Sequence, residues 1–526
     1  MRLVALLALC AAATLHAQTP RYDVIIRNGQ VIDGTGAPAR RADVAVARGR
    51  VAAVGDLAGA QAETVIDAGG LVVAPGFIDV HTHADELDEH PQAEHFLRMG
   101  VTTLVAGNCG GSSLPIADAL ARIAQAQPAI NFSTLVGHNT VRRAVMDTAR
   151  RAATAAELDQ MRALVRQAML DGAVGFSTGL QYVPGTYAET GEIVELARVA
   201  GQHGGLYASH MRNEGTELEK AVAEALHVGD AAGLPVQVSH LKVDSPANWG
   251  ASAKALALID AARGKGLSVS ADQYAYSAAS SSLGIRFPSW VLEGGQEAIN
   301  ARLDDPDTWA RIRKEMRALI RERGIEEYDF AVVAQYRPDP TRNGLSIKQI
   351  AMRERKRADL ESQLEVMREM LRAGGASMVY HFMSEDDIAR IMRHPQVSFA
   401  SDSGLHRMND GVPHPRGYGN AARVLGMYVR EKKVIGLEEA VRKMSSLPAQ
   451  HFAFADRGVL AEGRAADVAV FDPARVADAA TYEQPHRYAV GFVHVLVNGV
   501  PVIRDGQATA ARPGQVLRGR GYRKPS

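Results

Sequence analysis

The chain has 526 residues, enough for one large domain and a smaller companion. Lys plus Arg and Asp plus Glu balance at 59 each, which removes any electrostatic case for a nucleic-acid partner. Cysteine occurs only twice, at Cys10 and Cys109, so the chain is no disulfide scaffold.

Residues 1–17, MRLVALLALCAAATLHA, combine one Arg, an apolar centre and a small-residue end. That pattern predicts a secretory signal peptide cleaved near Ala17. It is too short and Ala-rich for a membrane span, and no other long apolar run follows. Leu9 precedes Cys10 where a lipoprotein signal wants a small residue, so no membrane anchor is expected. The product is predicted to be periplasmic or secreted. With the leader gone, Cys109 alone remains, either buried and inert or held as a ligand.

Residues 18–74 read as short alternating strands with Asn28-Gly29 and Asp33-Gly34 as hairpin-type turns. The same texture returns in residues 456–526, with Asn498-Gly499 and Asp505-Gly506. Two β-rich ends around a long middle predict one small composite β domain, with two independent β decorations as the alternative.

The middle, residues 75–455, alternates apolar runs with amphipathic helical stretches such as residues 155–170. The runs are FIDVHTH, VTTLVAGNCG, NFSTLVGHN, GAVGFSTGL, GGLYASHM, LPVQVSHLK, LSVSADQYAY, SMVYHFMS and VSFASDSG. Such alternation implies parallel strands with crossover helices, an α/β fold. Polar residues gather at the C-terminal ends of the runs, where a (β/α)8 TIM-like barrel builds its site. There is one run too many for eight strands, so either LSVSADQYAY or SMVYHFMS lies outside the barrel. Residues 286–372 break the rhythm with charged helical stretches and read as an insertion near the barrel mouth, a lid or an interaction surface.

The chemistry centres on APGFIDVHTHAD, residues 74–85. In an extended strand, side chains two apart share a face, so His81 and His83 aim at one point. Converging imidazoles at a strand end suit a divalent metal, although a bare H-x-H is common in polar loops. Context raises the weight of the pair, because Cys109, His210, His240, Asp272 and Asp402 all close later runs. Singly, each has a structural explanation, a helix cap for either Asp among them. Together they describe a zinc site.

PGFIDVHTH, with strand-end histidines at His210 and His240 and an aspartate at Asp402, resembles the amidohydrolase superfamily. GVTTLVAGNCG, SHMRNEG, SHLKV, DQYAY, SDSG and PHPRGYG resemble the N-acyl-D-amino-acid deacylase (D-aminoacylase) group within it, over nearly the whole chain after residue 17. Hydantoinases and dihydroorotases of the same superfamily bridge two metals with a carboxylated lysine. Here no lysine precedes Lys220, so none stands between His83 and His210, and the resemblance assigns that position to Cys109.

The resemblance implies one tightly bound zinc on Cys109, His210 and His240, and a second, weaker position at His81 and His83. Asp402 would take a proton from the attacking water and return it to the departing amine. Lys242, Arg416, Tyr274 and Ser280 would bind the substrate carboxylate, although Ala275 stands where the group has proline. Tyr182 would hydrogen-bond the scissile carbonyl. Residues 405–413, longer than the group's usual spacing, place His406 and Arg407 where an acidic or polar side chain would be selected. The implied activity is zinc-dependent hydrolysis of N-acyl-D-amino acids, small-molecule substrates. The rivals are an amidase for D-residue dipeptides and a non-catalytic binding homologue. Oligomeric state is left open by the sequence.

Overall fold

The computed structural model describes residues 21–524; the expected signal peptide lies outside the described residues. Both chain ends feed one nine-stranded sheet. Arg21–Val31 lies between Arg40–Ala47, antiparallel, and Val72–Pro75, parallel, and it also pairs with Gln61–Asp67. Val72–Pro75 then takes Val468–Phe471 as its antiparallel neighbour, and Phe492–Val497, Val500–Arg504 and Gln507–Ala508 continue the sheet. One sheet therefore holds both β-rich ends, which excludes two separate decorations. Val24, Ile26, Val44, Val46, Val73, Val468 and Val470 fill one face, as strand alternation requires.

The chain leaves this sheet at Pro75-Gly76 and enters the barrel. A Cβ at Gly76 would stand 2.3 Å from Thr102 Oγ1, so only glycine allows this close crossing. Eight parallel strands follow: β1 (Phe77–Asp79), β2 (Val101–Ala106), β3 (Asn131–Thr134), β4 (Gly175–Gly179), β5 (Leu206–His210), β6 (Val236–Val238), β7 (Val269–Gln273) and β8 (Val397–Phe399). Adjacent strands pair in sequence order, with Val136–Gly137 carrying β3 onto β4. The ring closes where Ser403–Gly404 pairs with Thr82–His83. All eight strands are buried along their length, which explains why they read as apolar runs rather than alternating ones. Between them run helices such as Ala155–Asp171, started by a Thr154/Glu157 capping box.

The surplus run is resolved by pairing. LSVSADQ is β7, hydrogen-bonded to β6 and β8, whereas Ser377–His381 lies outside the barrel. It is the middle strand of an antiparallel sheet with Ala278–Ser282 and Ala331–Gln335. Helices Gly295–Asp304, Pro306–Glu322, Ile347–Arg355 and Leu360–Arg372 belong to the same stretch between β7 and β8. The charged helices are thus joined by a sheet that the sequence analysis did not anticipate. Among the described residues, no helix is long and apolar enough to cross a membrane.

Candidate metal centre and active site

The C-terminal ends of the barrel strands converge on Cys109. Its Sγ lies 3.2 Å from His81 Nε2, 3.5 Å from His210 Nδ1 and 3.5 Å from His240 Nε2. His81 comes from the end of β1, Cys109 from the loop after β2, His210 from the last residue of β5 and His240 from just beyond β6. Asp402 follows β8, and its Oδ1 is 3.2 Å from His83 Nε2 and 3.5 Å from His81 Nε2. One mutual cluster of ligand atoms is His81, Cys109, His240 and Asp402, and an adjoining one is His210, Glu214 and His240.

Three of these residues hold left-handed backbone: Cys109 at φ 53°, His240 at φ 35° and Asp402 at φ 52°. Each such conformation costs on the order of 1–3 kcal/mol and persists only where its surroundings enforce it. The strain falls at strand ends, where the backbone leaves the ladder and the side chains turn toward a shared centre.

The donor set fits a metal. With S and N bonds of about 2.3 and 2.0 Å, a tetrahedral zinc holds its sulfur and nitrogen ligands roughly 3.5 Å apart. The three Cys109 separations match that spacing. The far nitrogens of two of these rings, His81 Nδ1 and His210 Nε2, make no aligned hydrogen bond and face Asp272 Oδ1 at 3.5 Å and Glu214 Oε2 at 3.8 Å. Burial opposes the Cys109 thiolate, but His81, His210 and His240 outweigh it and hold the thiol well below its ordinary range. Burial likewise pushes Asp402 up, and Arg416, His240, His83 and His81 reverse this, leaving it ionised.

Arg416, at the N-terminus of helix Arg416–Arg423, places Nη1 2.8 Å from Asp402 Oδ2. The approach is an ion pair without hydrogen-bond alignment. Tyr274 is buried with its ring 4.7 Å from the Arg416 guanidinium, and its hydroxyl donates to Met383 Sδ. It serves as a platform under the arginine and is not among the residues that line the cleft. Lys242 lines a narrow recess beside the centre and is paired within the protein. Its ammonium donates to Glu214 Oε1 at 2.7 Å and to the His240 carbonyl at 2.9 Å, and it sits 2.8 Å from His240 Nδ1. These contacts brace the His240 ring and backbone.

Tyr182 and Ser280 both line the cleft. The Tyr182 hydroxyl lies 3.2 Å from Ser281 Oγ, and burial, with Cys109 nearby, raises its pKa well above 10, so it stays a donor. The cleft encloses about 770 Å³ between the strand ends, the inserted sheet and the loop around residues 405–413. In that loop His406 turns to Ser403 Oγ, 2.8 Å away, while Arg407 is exposed beside His90.

Three acids escaped sequence reasoning or were underused. Glu214, inside SHMRNEG, is buried between Lys242, His240 and His210. Burial raises its pKa, but Lys242 above all, then His240 and His210, more than reverse this and hold it below the usual range. Asp272, weighed as a ligand, instead accepts the His240 backbone N–H at 2.8 Å and the Gln237 amide at 2.6 Å. Asp79 accepts the backbone N–H groups of His81 and Ser401, tying β1 to the chain after β8. Each follows an apolar run in the sequence, yet only long-range pairing reveals what it holds.

A parallel eight-stranded barrel with histidine, cysteine and aspartate ligands at its strand ends defines a metal-dependent hydrolase of the amidohydrolase type. The chain belongs to the Amidohydrolase family, whose model matches residues 64–503. It is 40% identical over 521 residues to N-acyl-D-glutamate deacylase of Alcaligenes xylosoxydans xylosoxydans, covering 95% of this chain and 97% of that one. It is 38% identical over 520 residues to D-aminoacylase of the same organism, covering 94% and 97%. The crystal structure of N-acyl-D-glutamate deacylase from Bordetella bronchiseptica, complexed with zinc and a phosphonate mimic of the tetrahedral intermediate, superposes with a TM-score of 0.82. That match is 39% identical and covers 95% of this chain and 100% of that one.

Proposed function

We propose that this protein is a zinc amidohydrolase that cleaves the amide bond of N-acyl-D-amino acids, giving a carboxylate and a free D-amino acid. The observation that carries the reading is Cys109 ringed by three imidazole nitrogens at 3.2–3.5 Å, beside an ionised Asp402. The deacylases it resembles over nearly their whole length support the substrate class.

Cys109, His210 and His240 would hold the tighter zinc, and His81 with His83 a second, weaker position. When bound, zinc acidifies water and polarises the scissile carbonyl. Asp402 accepts a proton from the attacking water and delivers it to the leaving nitrogen, a role its low pKa suits because it begins as a base. Tyr182 donates its hydroxyl to the carbonyl oxygen as charge develops there. Arg416, held over Tyr274, attracts the α-carboxylate while remaining next to Asp402, which places the amide nitrogen within reach of the proton. Ser280, which lines the same cleft, adds a hydroxyl.

The test is amine release by the zinc-loaded protein from paired N-acetyl-D- and N-acetyl-L-amino acids. Turnover of the D-forms alone is expected. Equal turnover of both, or cleavage of N-aminoacyl substrates only, would replace this reading with a broader amidase or a dipeptidase. Residues 1–17 support export, and N-terminal sequencing of the protein from a periplasmic or culture fraction should begin near Gln18.

A further inference from the structure

A separate cavity of about 360 Å³ lies between the small β domain and the chain that leaves the barrel. Arg48, Arg50, Arg457, Asn498 and Gln515 line it, with Asp456 as its one acid. Asn498 donates to Asn131, the first residue of β3. The cavity therefore sits where the barrel strands begin, at the opposite end from the metal centre. None of its residues enters the proposed reaction.

Its wall holds more positive charge than the protein matches. Asp467, buried behind Arg457, accepts from Arg457 Nη1, from the Asn131 amide at 3.2 Å and from the Asn498 N–H at 2.8 Å. That carboxylate is fully engaged inward. Asp456 is shared, lying 3.6 Å from Arg50 Nη2 and 3.3 Å from Arg457 Nε. Arg457 is 6% exposed, yet its buried Nε makes no aligned hydrogen bond. Arg48 has no acid: among the described residues, no carboxylate oxygen comes within 4.0 Å of its guanidinium. Three guanidinium groups thus meet two carboxylates, and the site is short of an anion.

Turn chemistry does not account for the cation at Arg48. Ala47 pairs with Arg50, so Arg48 and Gly49 form a two-residue hairpin loop with φ of 53° and 73°. Such loops favour Asn, Asp or Gly at the first position, which is what the neighbouring hairpin has in Asn498-Gly499. A Cβ at Gly49 would stand 3.0 Å from the Asn498 carbonyl oxygen, so the two tips touch. The Gly49 carbonyl also accepts the Ala466 N–H at 2.9 Å, which fixes the tip that carries Arg48.

We propose that this cavity binds a small phosphomonoester, with its phosphoryl group held by Arg48, Arg50 and Arg457. A tetrahedral phosphoryl group offers three oxygens to donors that arrive from separate stretches of chain. A planar carboxylate offers two, and one guanidinium fills them. The phosphoryl charge, about −1.5 to −2 at neutral pH, offsets the unmatched cation. The cavity is larger than a lone ion needs and falls within the range of small-molecule sites, about 300–1,000 Å³, which leaves room for an organic portion. The ligand joins the 48–50 hairpin, residues 456–457 and residues 513–515, so it stabilises the fold by mass action.

The probes are glycerol 2-phosphate, inorganic phosphate and malonate. Each is titrated calorimetrically, at fixed ionic strength, into the zinc-loaded protein and its R48Q and R50Q variants. The unmodified protein should bind glycerol 2-phosphate more tightly than inorganic phosphate, and at least roughly tenfold more tightly than malonate. Either variant should lose roughly tenfold or more of that affinity, with hydrolytic activity unchanged. Glycerol 2-phosphate should raise the denaturation midpoint of the unmodified protein and not that of R48Q. Arg48 is exposed, so R48Q tests the site even where R50Q, which also gives up the Gly463 carbonyl, fails to fold. No binding by the unmodified protein at millimolar concentration overturns the proposal without any variant. Binding that survives in both variants places the anion elsewhere, the zinc included, and also overturns it. Malonate bound as tightly as glycerol 2-phosphate, or inorganic phosphate bound more tightly than the ester, overturns the phosphomonoester assignment.

Discussion

Glu214 Oε1 lies 2.8 Å from Nδ1 of His240, and the same oxygen accepts from the Lys242 ammonium at 2.7 Å. The same Nδ1 lies 2.8 Å from the Lys242 ammonium; once a metal occupies Nε2, the atom that faces Cys109, Nδ1 carries the proton and Glu214 is the carboxylate placed to accept it. Lys242 neutralises Glu214, so the carboxylate is buried without an unmatched charge. Glu214→Gln should therefore weaken zinc binding about 10–100-fold, as loss of such outer partners does. Zinc retained against a competing chelator measures this. Unchanged retention would mean that Glu214 does not orient the ligand.

Asp402 carries the proton in the proposed reaction; it shares a ligand cluster with His81, Cys109 and His240 but is not one of the three residues proposed for the tighter zinc, Cys109, His210 and His240. Asp402→Asn keeps the shape and removes the base, so kcat should fall by roughly 10²–10⁴. Zinc content measured on the same sample should stay near that of the unmodified protein. A kcat within a few-fold of normal would remove Asp402 from the chemistry.

Gly179 ends β4 against the turn that presents Cys109. A Cβ there would stand 2.0 Å from the Cys109 carbonyl oxygen and 2.8 Å from the Tyr182 ring. Gly179→Ala should therefore displace both residues, lowering stability by about 1–3 kcal/mol, the usual cost of overpacking. The denaturation midpoint and the zinc content should fall together. A stable variant that retains full zinc would contradict the close packing.

His95 gives a pH dependence away from the metal ligands. It is buried with Nε2 unpartnered, and burial, aided by His406, pushes its pKa down from 6.5 to about 3. The unfolded chain takes up this proton near 6.5, while the folded one resists until about 3. Stability from this residue is thus present above pH 6.5 and is lost as pH falls toward 3, by roughly 1.4 kcal/mol per pH unit. Urea unfolding across that window should show His95→Phe with a slope shallower by about one proton. Parallel slopes would show that His95 is not kept neutral.

The fold class and the candidate ligands could be read from the sequence because they rest on local signals. Fully buried parallel strands are continuous apolar runs, and ligands sit just past their ends, so His81, His83, Cys109, His210, His240 and Asp402 could be listed from pattern and family resemblance. The sequence by itself also determined that no lysine bridges the metals before Lys220 and that both ends are β-rich. Strand assignment was another matter. Ser377–His381 is as apolar as β7, and only its antiparallel partners place it outside the barrel. The roles of cations were hidden for a related reason. Lys242 and Arg286 are both single charges near turns, and what separates them is whether an acid reaches them across the fold. Glu214 reaches Lys242, whereas among the described residues no carboxylate oxygen comes within 4.0 Å of Arg286. Periodicity and side-chain type are properties of neighbouring residues and survive in one dimension. Pairing, burial and charge compensation join residues distant in the chain, and tertiary structure alone decides them.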